Sequence, residues 1–181
     1  MAKVKSTIDL IMEKTKHMSL SDEEKKVLKR RDLEDSVKIL AFRFIKEEHD
    51  DEFLVNELRQ LSKEEAHEAR KICLNVLVRE FSPLDENPRV CQGIQKIIGD
   101  GLEETVQKAT EDVRNEYKRK EEDLRKEATT QCYRELESDG IRGSALIPRI
   151  EAASLWQVES KKLIESSRTS LQRRLEGLLQ R

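Results

Sequence analysis

The chain has 181 residues, with 35 Lys and Arg against 37 Asp and Glu, and is 36% hydrophobic, 40% charged and 4% aromatic. The near-balance of charge excludes a global electrostatic pull toward nucleic acid or an anionic membrane, and the low apolar share excludes one large spherical core. Scarce aromatics and only six Gly and three Pro exclude a sheet protein, which needs β-branched and aromatic runs broken by frequent turns, so an all-α fold is expected.

Val4, Ile8, Ile11 and Met12 fall on one face of a short first helix within residues 1–20. A helix this short is marginal by itself, so the segment is expected to be an amphipathic docking helix that orders on a partner. It lacks the continuous apolar run of a signal-peptide core, and Asp9 and Glu13 argue against a transit peptide. No stretch approaches the roughly 18–20 apolar residues of a membrane span. Cys73, Cys91 and Cys132 form no C-x-x-C pair and leave one over in any disulfide scheme. Reduced thiols serving as small apolar filler are expected, in a cytoplasm, most simply a bacterial one.

Residues 21–99 read as a helical module. Ser21-Asp22-Glu23-Glu24 has the capping-box form, in which Ser and Glu reciprocally satisfy free backbone N–H groups. The helix it opens is too charged for a core until Val37, Leu40, Ala41, Phe44 and Ile45. A turn near His49–Asp51 leads to a short helix with Phe53, Leu54, Leu58 and Leu61, and Ser62-Lys63-Glu64-Glu65 repeats the capping box. The next helix, with Ala69, Ile72, Cys73, Val76, Leu77 and Phe81, must end before Pro83, because the residue preceding proline is pushed out of the helical region. Asn87-Pro88 suits an N-cap and first helical position, and Gly99 a helix stop. Gly99-Asp100-Gly101 is the hinge-like place to divide this module from residues 100–181.

The second part reads as a long antiparallel helical hairpin of coiled-coil type. Leu102, Val106, Ala109, Val113, Tyr117, Leu124 and Ala128 recur at helical spacing without Gly or Pro, a stripe too narrow to surround a core and therefore due to be buried on another long helix. The partner stripe is Leu146, Ile150, Ala153, Trp156, Leu163, Ile164, Leu171, Leu175 and Leu178, on a helix expected to start between Ser144 and Pro148, with Pro148 confined to its first turn. Residues 101–140 hold 8 basic and 12 acidic side chains, net −4, while residues 141–181 hold 8 basic and 4 acidic, net +4, so the arms attract. Leu102, Val113 and Leu124 are eleven apart, a spacing that favours a straight or slightly right-handed coil.

Candidate chemistry is sparse. Glu64 and His67 form a Glu-x-x-His pair, the spacing used by di-iron bundles, but no second copy occurs, and a solvated surface histidine is the expected reading. The acids Asp50, Asp51 and Glu52 beside His49 fit a helix start better than a cation site. No nucleophile elbow occurs, and Gly99-x-Gly101 lacks the strand and third glycine of a phosphate loop. The basic runs Lys25-Lys26 to Lys29-Arg30-Arg31 and Lys118-Arg119-Lys120 are flanked by acids, which marks solvated, salt-bridged helix faces and makes nucleic acid an unexpected partner. Trp156, the single tryptophan, is expected either to anchor the hairpin to the module or to serve as an interface hot spot.

The stretch Lys5-Ser6-Thr7-Ile8-Asp9-Leu10-Ile11-Met12-Glu13-Lys14-Thr15 resembles the start of small uncharacterised helical proteins of bacteria, which implies no activity. The long helix with eleven-residue spacing is similar in architecture to the peripheral stalk subunits of rotary ATPases, although those add an α/β end domain. The leading expectation is a non-enzymatic cytoplasmic scaffold or adaptor working through helix–helix protein contacts, a homo-oligomer or the binder of a protein partner, with no cofactor. Val4, Ile8, Ile11, Met12 and Trp156 are its partner-binding residues. A stalk-like or regulatory subunit of a larger machine is the second reading, and a metal-dependent helical enzyme at Glu64 and His67 the third.

Overall fold

The computed structural model describes residues 21–179 apart from 48, 49, 86, 100, 142, 144 and 145 and the side chains of Asp51, Lys63 and Glu64. The docking helix expected within residues 1–20 lies outside the described residues. Those described are all-α, with no strand, in six helices: α1 (Asp22–Ile45), α2 (Asp51–Arg59), α3 (Lys63–Glu80), α4 (Pro88–Ile98), α5 (Glu103–Ser138) and α6 (Ser154–Leu179).

The helix starts follow from local chemistry. Glu24 N–H donates to Ser21 Oγ at 3.2 Å while Ser21 N–H donates to Glu24 Oε2 at 2.8 Å, and the same reciprocal box joins Ser62 and Glu65 at the head of α3. The Ser62 hydroxyl and N–H donate to the Glu65 carboxylate, which holds it below the usual range for glutamate. Asp50 caps α2 by accepting from Phe53 N–H at 2.7 Å, so the acids at that helix start serve the helix itself. Asn87 accepts from Val90 N–H, Pro88 takes the first helical position, and Gly99 at φ 113° ends α4. Phe81 leaves the helical conformation immediately before Ser82-Pro83.

The core begins where the sequence places it. Residues 21–32 are exposed throughout, and Val37, Ala41 and Phe44 are the buried face of α1. They meet Leu74, Leu77 and Phe81 around α3 and Val90, Ile94 and Ile97 of α4. Gly93 makes this approach possible: a Cβ there would lie 2.6 Å from the Phe44 ring and 3.1 Å from Leu77. The same cluster continues past Gly99 and Gly101 into Val106, Ala109 and Val113 of α5 and Leu171 and Leu175 of α6.

Beyond that base the arms pack on each other. Val106, Ala109, Val113, Tyr117 and Ala128 are buried as the stripe requires, with Thr110 buried beside them. The antiparallel order is fixed by cross-arm pairs: Arg174 reaches Glu116 at 2.6 Å and Asp112 at 3.4 Å, Arg125 reaches Glu151 at 3.8 Å, and Tyr133 O–H donates to the Leu146 carbonyl at 2.9 Å. These exposed or half-exposed pairs set register more than stability.

The returning helix departs from expectation. It begins at Ser154, not between Ser144 and Pro148, and Pro148 lies in an extended link followed by a 3₁₀ turn at Ile150–Ala152. Pro148 cannot donate a helical hydrogen bond and disfavours helix in Ile147, so the chain stays extended until Ile150 is buried. The hairpin therefore has arms of 36 and 26 residues, about 54 and 39 Å at 1.5 Å per residue.

Two glycines give opposite expectations. Gly93→Ala should destabilise the protein by about 1–3 kcal/mol through overpacking against Phe44 and Leu77. Gly177→Ala, in the open on α6, should stabilise by about 0.5–1 kcal/mol. Denaturant midpoints of both variants check the pair, and equal shifts would contradict the close α1–α4 approach.

Candidate functional site

The positions singled out in the sequence disperse. His67 is exposed and lies by a small cleft with Lys71, Glu176 and Leu179, while the side chain of Glu64, like His49 and His17, is outside the described residues. Among the described residues no group of three or more His, Cys, Asp or Glu comes together to hold a metal. No described helix is long and apolar enough to cross a membrane. In the basic run of α1, Lys25 pairs with Asp22 at 3.2 Å and Arg30 with Glu68 of α3 at 2.7 Å. Val4, Ile8, Ile11 and Met12 fall outside the described residues.

Trp156 stands at the start of α6, half-buried, with the Arg125 guanidinium 4.9 Å over its ring. Arg125 belongs to α5, so this contact braces the two arms of the hairpin against each other far from α1–α4. The module is tied to the hairpin elsewhere. Arg168 Nε donates to the Phe81 carbonyl at 3.0 Å, Gln172 donates to Asn75 Oδ1 at 3.3 Å, and Arg114 lies 5.5 Å over the Phe81 ring with its Nη2 3.7 Å from Cys91 Sγ.

The thiols separate by burial. Cys73 lies inside the core, where desolvation pushes its thiol up to about 12, whereas Cys91 and Cys132 are half-buried. Tyr117 is likewise pushed up, first by burial and then by the Glu121 carboxylate.

Exposed large apolar side chains gather in two places. At the far end of the hairpin Ile147 is 90% exposed, with Ile141, Tyr133 and Val158 also open. The other place is concave: α1 and α2 border a groove of about 210 Å³, with Leu33, Leu40, Leu58 and Leu61 along it and Ile39 and Phe53 at its edges. Ile39 is 54% exposed and Phe42, three residues on, 43%. Sequence periodicity assigns the inner face of α1 to Val37, Ala41 and Phe44 and passes over Ile39 and Phe42, which lie off that face. Their signal is a second apolar line, since Leu28 and Ile39 are eleven residues apart and share one helical face. A groove of this kind takes the apolar side of an amphipathic helix.

Two measurements follow. Replacing Phe53 by Ser should weaken binding of an apolar-surface dye, at a cost in stability of about 1–2 kcal/mol for a side chain that is 37% exposed; undiminished dye binding would assign the dye to the hairpin end alone. With a thiol reagent at about pH 8, Cys73 should react only as fast as the protein unfolds while Cys132 reacts in the native state, and equal rates would contradict the buried position of Cys73. Compared with known protein families, curated proteins and solved structures, the chain matches none of them.

Proposed function

We infer that this protein is a non-enzymatic cytoplasmic scaffold that self-associates through helix–helix contacts, with the groove between α1 and α2 receiving residues 1–20 of a second copy. The observation that carries the reading is the groove itself, lined mainly by apolar side chains with Arg43 and Glu57 among them, and edged by the exposed Ile39 and Phe53. The stripe Val4, Ile8, Ile11 and Met12 supplies an i, i+3, i+4 pattern of the kind such a groove binds.

The connection between the two is long enough to reach a groove. Residues 21–32 of α1 are exposed throughout and carry Ser21 about 18 Å away from Leu33, where the groove begins. Residues 13–20 can span roughly 26–29 Å. In a two-fold pair each segment then crosses to the other copy, filling both grooves with one self-complementary interface. The hairpin, coiled-coil-like and braced at Trp156, stays outside this contact as the spacing arm that a scaffold offers to further partners.

Light scattering during size-exclusion chromatography tests the reading. The full chain should run as a dimer, and the double variant Ile8→Asp with Ile11→Asp should run as a monomer, as should Phe53→Asp. A dimer that survives both changes, or a chain monomeric at all concentrations, would overturn it. So would a monomer whose first residues resist protease until Phe53 is changed, since that result places the segment in its own groove.

A further inference from the structure

On the opposite side of α2 from the apolar groove lies a second concavity of about 590 Å³, bounded by α2, α3 and α4. Its character is the reverse of the first. Arg59 of α2, Arg70 of α3 and Lys96 of α4 line it, with Glu52 as the carboxylate on its wall. Among the described residues these three cations and one carboxylate leave a charge of +2.

Several charges elsewhere among the described residues are paired. Acid and base meet along α1 at Glu34 and Lys38, along α5 at Glu122 and Lys126, and across helices at Arg30 and Glu68. Arg59, Arg70 and Lys96 are not paired in this way, and they line one concavity. Position i−4 holds Val55, Ala66 and Gln92 respectively, and position i−3 holds Asn56, His67 and Gly93, so none has an acid one turn back. Among the described residues none of the three is within ion-pair distance of a carboxylate. The carbonyl ends of α2 and α4 account for one cation each, Arg59 and Lys96. Arg70 sits in the interior of α3, where no helix end calls for it. Glu68, two residues away, is already held by Arg30 at 2.7 Å.

We propose that this cavity binds a small molecule carrying a phosphate monoester. The dianion matches the +2 charge, and arginine side chains converging from different helices provide the forked donors that phosphate oxygens accept. The volume is within the range of small-molecule sites, about 300–1,000 Å³. Val55 and Ile97 give the organic portion an apolar wall. Glu52, Asn56 and Arg59 recur at spacings of four and three on one face of α2, so a ligand with its phosphate at Arg59 meets an amide and then a carboxylate, acceptors for its hydroxyl or amino groups. A phospholipid headgroup with a terminal phosphate shares this chemistry.

The test is calorimetric titration of the full chain with glycerol phosphate at low ionic strength, beside co-sedimentation with phosphatidylcholine vesicles containing phosphatidic acid. Saturable glycerol phosphate binding is expected, weakened about tenfold or more by Arg70→Gln and by Lys96→Gln, and unchanged by Lys38→Gln on α1, which does not line the cavity. Both first variants alter exposed side chains, and unchanged circular dichroism confirms their folding. Binding should also weaken as pH falls below about 6, where a phosphate monoester loses its second charge. Vesicle binding with the same variant pattern, without glycerol phosphate binding, assigns the same site to a lipid source. Absence of both, or binding indifferent to Arg70 and Lys96, overturns the proposal.

Discussion

The apolar stripe on each arm of the hairpin is one side chain wide, and its order depends on the insertion of its lower end into the core of α1, α3 and α4. Val106, Ala109 and Val113 on one arm and Leu171 and Leu175 on the other share a continuous cluster with Phe44, Leu77 and Ile94. Polar contacts reinforce that insertion, because Arg168 takes up the Phe81 carbonyl that the end of α3 leaves without a helical partner. Farther out the arms rely on each other, through Tyr117, Ala128, Ile150 and the Arg125–Trp156 stack. Exchange protection should therefore be greatest at the base and decline toward the tip, where buried contacts thin out.

What was legible in the sequence was local. The two capping boxes, the Asn87-Pro88 start and the Gly99 stop each involve atoms within a few residues, so residue identity fixes them before any tertiary contact forms. The stripe of α5 was legible because 36 residues average out individual exceptions. The start of α6 was not. Periodicity alone carries the helix back to Leu146, and only the tertiary burial of Ile150 with the backbone limits of Pro148 moves it to Ser154. The candidate sites were hidden for a similar reason: Ile39 and Phe53, or Arg59, Arg70 and Lys96, become neighbours only once separate helices pack, and no linear spacing encodes that.

The short helix α2 has a position out of proportion to its 9 residues. It gives Phe53, Glu57 and Leu58 to the apolar groove and Glu52, Val55, Asn56 and Arg59 to the basic cavity. A helix of this length is not stable alone. Asp50 at its cap and Leu54 and Leu58 in the core hold it in place. An occupant of either concavity therefore bears on the same few turns.

If residues 1–20 of one copy fill the groove between α1 and α2 of another, that contact depends on concentration. Amide hydrogen exchange on the full chain at low and high concentration tests it most directly. Exchange should slow at high concentration in residues 33–61 and stay unchanged in the outer hairpin around residues 118–135. Exchange independent of concentration, or slowing confined to the hairpin, would contradict it.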